Sequence, residues 1–381
     1  MAAGPSRASM SPALFRAARG ARAVFGGALE WDGADALDPS AMAVTALGMG
    51  VPILIGVLIG RPNIGLAASL GAMWVGAAPR GASLKEHWQI VRDIVVAAIA
   101  AAVAAAIIAQ HGPWSDAGLV FAAGAAALLG GFSRPMAVAS QRFIIFATIG
   151  LGVAAHTPNR IALVVLIAEG ALWAALCGLA IGGVAIGGVA RRFDIGSIVA
   201  SERGSTASFE QKFRRWRGTL RTWAAWNYPV RLMTCLACAV AIKGAFPQHH
   251  YSWIAVAVAL LTQRQSDGLV AKVSQRALGV AAGVVATEAI AIHPLPGWAL
   301  VAIIATLAAL SPWLRNRSYV AYTAATTPLI LLLTSGGGTI AQGLLIDRLI
   351  ATLIAAGLVI VAFLVAQRFT PRPSPDNRRS G

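Results

Sequence analysis

Acidic side chains are scarce in this chain. Asp and Glu number 15 among 381 residues, against 31 Lys and Arg, and the formal net charge is +16. The few polar residues assemble into no paired carboxylates and no Ser-His-Asp arrangement, which argues against an enzyme. Cysteine is rarer still: Cys177, Cys235 and Cys238 all fall inside apolar runs. Cys235 and Cys238 have redox or zinc spacing, but nothing nearby completes a ligand set, so small packing residues are the better reading. His249 and His250 are adjacent, yet no third or fourth ligand lies within sequence reach, and neither metal nor cofactor is expected. A Gly-x-x-x-x-Gly-Lys-Ser/Thr phosphate loop is also missing. The run Gly336-Gly-Gly338 lacks the lysine, and ATP hydrolysis by the chain is excluded. The first forty residues hold no unbroken apolar block of the kind a signal peptide needs after its basic start.

Apolar residues are abundant. They make up 57% of the chain, charged residues only 12%, and the mean hydropathy is +0.70. Those values lie outside the range of soluble globular proteins and predict an all-α polytopic membrane protein. Twelve apolar spans can be drawn, at 41–60, 64–78, 94–110, 117–132, 137–155, 161–190, 229–246, 250–263, 277–293, 297–313, 317–334 and 346–367. A helix needs about 20 residues to cross a hydrocarbon core of about 30 Å. The spans 64–78 and 250–263 are short and read as tilted, broken or re-entrant. The span 161–190 is long, and its Gly182, Gly183, Gly187 and Gly188 predict a break or a cytoplasmic end.

The cations sort onto one side of these spans. Of the 31 Lys and Arg, all but Arg61, Arg160, Lys243 and Arg348 fall on the side of the two termini. Lys and Arg near span ends are retained in the cytoplasm during insertion. The chain is therefore expected in the inner or plasma membrane with both termini cytoplasmic. Cations spread over short loops form no single basic face, which argues against nucleic acid as a partner.

The two halves read as repeats. His111-Gly-Pro-Trp114 precedes a span that ends at Ser133-Arg134-Pro135, and His293-Pro-Leu-Pro-Gly-Trp298 precedes one that ends at Pro312-Trp-Leu-Arg315. Each half closes with a helix entered from an arginine, Arg160 or Arg348. Six spans per half put both halves in the same orientation, a parallel repeat about an axis along the membrane normal, as transporters use. The division is a tail (1–40), a first transmembrane half (41–190), a basic amphipathic linker (191–228), a second transmembrane half (229–367) and a second tail (368–381). From Glu210 the linker reads as a helix with Phe213, Trp216, Leu220 and Trp223 on one face and cations around the other. That pattern suits either a helix lying on anionic lipid or an extension of the seventh span.

The second half carries a recognisable series. Tyr228-Pro-Val-Arg231 opens a span, His250-Tyr-Ser-Trp253 opens the next, and Gln275-Arg276-Ala-Leu-Gly279 enters the one after. Ser318-Tyr319-Val-Ala-Tyr322 then leads to Arg348-Leu-Ile-Ala-Thr352. This series resembles the fusaric-acid-resistance-like family of membrane proteins, related to the aromatic acid exporters. The match is good over 229–366 and weaker over 41–190. The resemblance implies membrane transport of small organic or aromatic acids.

Candidate site residues follow from depth and chemistry. Glu169 lies nine residues into its span, near the midplane, where an intramembrane acid is a functional candidate; it is read as proton-coupling or as a structural acid between helices. Glu288 is a second proton-coupling candidate, further out. His250, Tyr251 and Trp253 read as an interfacial anchor or as an aromatic platform on the substrate pathway. Arg276 and Arg315, with Arg142, stand at the ends of spans, where they set topology or collect organic anions; Arg348 is a further pathway candidate. Lys243 reads as snorkelling. The expected function is a secondary transporter, a proton-driven exporter of small organic or aromatic acids. The alternatives are an uncoupled organic-anion channel and a non-transporting scaffold for envelope assembly. Expected partners are the lipid bilayer and an organic acid, with a homo-oligomer or an envelope partner left open.

Overall fold

The computed structural model describes residues 31, 37–76, 83–192, 208–262, 264, 268–291, 295–334 and 342–369. Most of both tails and residues 193–207 of the linker lie outside that set. Every element among the described residues is helical. The first half comprises α1 (Pro39–Leu58), α2 (Pro62–Gly76), α3 (Leu84–Ile108), a 3-10 segment (Ala109–Trp114), α4 (Ser115–Leu129), α5 (Arg134–Ala154) and α6 (Arg160–Arg192). After the linker helix α7 (Phe209–Thr219) come α8 (Trp223–Ala245), α9 (Ser252–Leu261), α10 (Leu269–Ala291), α11 (Gly297–Arg317), α12 (Tyr319–Thr334) and α13 (Gln342–Phe369).

Short polar residues start these helices. Side-chain oxygens of Asp38, Ser83, Ser133 and Asn159 accept hydrogen bonds from the backbone N–H groups of Ala41, Glu86, Met136 and Ala162, satisfying donors that a helix start leaves open. The kink between α3 and α4 falls at Gly112, whose φ of +53° suits a residue without Cβ, followed by Pro113.

Among the described residues eight continuous stretches are long and apolar enough to cross a membrane, one of them the 45 residues Lys85–Leu129 that run through α3 and α4. The remaining apolar helices are short: 15 residues in α2, 10 in α9 and 16 in α12. At about 1.5 Å per residue they reach roughly 22, 15 and 24 Å, less than a hydrocarbon core. All three are largely buried among longer helices. The chain is a multi-pass membrane protein.

The packing order proves the repeat. In the first half the most extensive helix pairings are α1 with α2, α1 with α6, α2 with α6, α3 with α5, α3 with α6 and α4 with α5. Counting seven helices on, past the linker helix, the second half has α8 with α9, α8 with α13, α9 with α13, α10 with α12, α10 with α13 and α11 with α12. The contacts between halves pair off in the same way: α1 with α11 against α4 with α8, and α2 with α12 against α5 with α9. A pseudo-two-fold axis therefore runs between the halves, with α2 and α9 closest to it as equivalent elements.

Two sequence expectations need correction. The α6 helix runs unbroken through its glycines to Arg192. Each glycine costs a helix about 1 kcal/mol, but the stretch has no proline to end it. The linker helix is not an extension of the next span. Ser208 and Gln211 form a capping box at the start of α7, and Leu220–Thr222 separates it from α8. Its aromatic face packs on the α4–α5 turn: Phe132 meets Phe209 at 5.5 Å and Trp216 at 6.2 Å between ring centroids, and Trp216 Nε1 donates to Leu128 O at 3.2 Å.

Glycine allows the tightest contacts. A Cβ on Gly71 would run into the backbone of Ile167, and one on Gly170 into the backbone of Ala68, so α2 and α6 touch main chain to main chain. Gly279 and Gly283 similarly bring α10 against α12.

Candidate functional site

The pseudo-two-fold axis carries a cavity of about 710 Å³ at the cation-poor ends of the helices. Its walls come in equivalent sets: α2, α5 and α6 from the first half, and α9, α12 and α13 from the second. Unusually short helices at matching positions of two repeats mark binding sites in transporters, and α2 and α9 are such a pair. The first half contributes Asn63, Thr148, His156 and Asn159, the second His250, Ser252, Trp253 and Thr334, on an otherwise apolar surface. His156 Nδ1 donates to Gly152 O at 2.9 Å, so the acceptor of its ring is Nε2.

Behind Trp253 lies Arg348. Its guanidinium carbon sits 3.8 Å from the centre of the Trp253 ring, and the residue is only 4% exposed. The helix α13 begins at Gln342, which sets Arg348 six residues, about 9 Å, inside it. Nε and Nη1 of Arg348 are buried with no hydrogen-bond partner. An orphaned buried donor costs about 1–3 kcal/mol, more on a charged group, and cation–π stacking on Trp253 returns about 2 kcal/mol at most sites of this kind.

A second buried arginine lies further along. Arg276 of α10 is 8% exposed, its Nη1 donates to Tyr319 Oη at 3.4 Å, and its Nε has no partner. Arg276 is within electrostatic reach of Arg348. Tyr322 feels both Arg276 and Arg315, and Arg315 in turn acts on Arg142 of α5. The four arginines thus form a column from the cavity towards the cation-rich ends. Among the described residues no carboxylate forms an ion pair with Arg276 or Arg348. An electropositive, partly dehydrated column of this kind favours an anion.

The one acid beside Arg348 is already engaged. Asp347, 5% exposed, accepts from His249 Nδ1 at 2.8 Å, from the His250 backbone N–H at 2.8 Å and from His250 Nδ1 at 3.3 Å. A carboxylate only accepts, so both rings carry hydrogen on Nδ1. This clasp fixes the α8–α9 loop on α13 and holds His250 at the cavity wall. Both imidazole nitrogens that face Asp347 are consumed by it, and among the described residues no group of His, Cys, Asp and Glu is arranged to hold a metal ion.

The sequence candidates separate accordingly. His250 and Trp253 line the cavity, and Arg348 backs it. Tyr251 does not line it; it is buried and stacks on His249 at 4.8 Å, where it supports the clasp. Arg276 is in the column, and Arg315 is exposed at its cation-rich end. Glu169 lies away from the cavity, exposed on the outer face of α6 beside Leu172 and Leu176. Glu288 is half-buried on α10, does not line the cavity and has an interaction of its own. Lys243, read as snorkelling, holds Asp116 of α4 with Nζ 2.9 Å and 3.0 Å from the two carboxylate oxygens, a tie between the halves. Sequence reasoning missed Asp347. Its signal was an acid next to the arginine of an apolar helix, together with two histidines that lacked a third partner.

Neither a curated protein nor a solved structure matches the chain. A family model does: residues 236–362 match that of the fusaric acid resistance protein-like family. The matched stretch contains the Asp347 clasp, Trp253, Arg276 and Arg348, the parts of the site with the most distinctive chemistry. The likeness to the fusaric acid resistance protein-like family is thus confined to the second transmembrane half, from within α8 to within α13.

Proposed function

We propose that the chain is a secondary transporter that exports small organic acids, aromatic ones among them, at the expense of the proton gradient, with its cation-rich side in the cytoplasm. One observation carries the reading: Arg348 is buried against Trp253 of a cavity shared by both halves, and its Nε and Nη1 have no hydrogen-bond partner. Buried donors of this kind call for an acceptor, and a carboxylate is the natural bidentate partner of a guanidinium. A cavity of about 710 Å³ is of ordinary size for a small-molecule site. Trp253 offers a ring face on which a planar acid can stack. The absence of a phosphate loop from the sequence leaves ion or substrate gradients as the energy source.

Reconstituted vesicles loaded with benzoate test this. Uphill benzoate export set by the pH gradient is the expected result. Flux that follows only the electrochemical gradient of benzoate replaces the transporter with an anion channel. Absence of flux for any weak organic acid tried leaves a non-transporting scaffold.

A further inference from the structure

At the cation-rich ends of α8 and α13 the seam between these helices opens into a groove of about 490 Å³. Trp223, Asn227, Arg231 and Thr234 of α8 face Ala362 and Ala366 of α13 across it. Further along, the seam closes where Cys235 Sγ comes within 3.7 Å of Leu358 O. The equivalent seam in the first half, between α1 and α6, is filled. There the buried His87 reaches Gly178 O with Nε2 at 3.4 Å, and Val44 packs on Gly178. Among the described residues the two seams are thus lined differently: His87 stands against the first, and the second opens into a groove.

The groove joins two chemistries. Its walls are mostly apolar, and they continue into Val361, Leu364 and Val365, exposed on the flank of α13. Its polar groups lie along the α8 wall, from Asn227 through Arg231 to Thr234. Arg231, half-buried with its guanidinium 6.0 Å from the Phe363 ring, shares that wall with Asn227. Long side chains on a helix lean towards its N-terminus, which brings the Arg231 guanidinium to the level of Asn227, one turn inside Trp223. Trp223 is half-exposed at the start of α8, as tryptophans are at the membrane boundary. A cation with five donors, an amide and an interfacial tryptophan above an apolar trough match a phosphate with an acyl chain attached.

We propose that the α8–α13 groove is a binding site for one anionic phospholipid, its phosphate held by Arg231 and Asn227 and an acyl chain lying along Ala362 and Ala366. The lipid fills the space that His87 fills in the first half. The site is independent of the central cavity and of whatever the protein transports.

The test uses the purified full chain in phosphatidylcholine nanodiscs, with phosphatidylglycerol titrated in and bound lipid counted by native mass spectrometry. The expected result is one retained phosphatidylglycerol on the wild type. Its affinity should fall about tenfold in Arg231→Gln, which removes a charge-assisted hydrogen bond. Ala366→Leu, which fills the groove and leaves Arg231 in place, should also evict the lipid. Arg214→Gln on α7, remote from the groove, should retain it. Equal retention by the wild type and both groove variants overturns the proposal. So does displacement of the lipid by inorganic phosphate or benzoate at millimolar concentration, which would make the groove a site for free anions.

Discussion

The outer corners of the two halves occupy equivalent places in the fold and do different things. In the first half Asn159 caps α6, accepting from Ala162 N at 3.0 Å, and Arg160 is the first residue of the helix, donating to Ala154 O at 3.4 Å. Asn159 is exposed and Arg160 part-buried. In the second half α13 starts six residues before its arginine, so Asp347 and Arg348 are carried into the protein and buried. The same Asx-Arg pair serves as an ordinary helix start in one repeat and as a clasp beside a buried guanidinium in the other. Internal repetition supplied the scaffold, and the position of one helix start decided which copy gained chemistry.

The sharpest test exchanges the two arginines. Arg348→Gln should weaken benzoate binding 10- to 100-fold, since hydrogen bonds to charged groups are worth about 1.5–3 kcal/mol. Arg160→Gln should change it less than about twofold by the same reasoning, because its guanidinium already has a backbone acceptor and the residue does not line the cavity. Isothermal titration on the purified protein reads both; equal losses would erase the distinction between the corners.

The acids of the two corners should differ next. Asp347→Asn keeps the shape but weakens the bonds from both histidines, and should cost about 2 kcal/mol of stability, read as a fall in melting temperature. Asn159→Ala removes only a helix cap and should cost about 1 kcal/mol. A larger loss at Asn159 than at Asp347 would reverse the comparison.

Trp253→Leu should lower benzoate affinity about threefold to tenfold, as expected for the loss of a ring contact and of the stack on Arg348. Acetate, which has no ring, should be affected less, and competition binding separates the two. The smallest effect is expected at Glu169. Because it lies on the outer face of α6 and away from the cavity, Glu169→Gln should leave benzoate flux within about twofold of wild type at equal expression. Collapse of uphill transport in that variant would return the proton-coupling role to Glu169.

Much of this architecture was legible in the sequence. The twelve apolar helices, the parallel halves, the short second and eighth elements and the pairing of Arg160 with Arg348 all follow from hydropathy, length and loop charge. Those are properties of single segments, and the membrane imposes them segment by segment. The clasp was not legible, because Asp347 and His249 lie 98 residues apart and meet only through the packing of α9 on α13. The outward face of Glu169 was equally hidden. Depth along a helix can be counted from its ends, but which side of α6 looks inward depends on where α2 lies. Helix ends were the weakest point: the sequence set the third span at 94, whereas α3 starts at Leu84, because hydropathy falls off where a helix leaves the apolar layer and the helix itself continues.

The main-chain contact between α2 and α6 also restricts what can move. At Gly71 and Gly170 there is no side chain to re-pack, so neither helix can slide or turn against the other without breaking contacts on both. That side of the cavity has no internal freedom. Its width is then a single variable, the separation of one rigid wall from the opposite half, and a ligand lying across the cavity measures that separation directly.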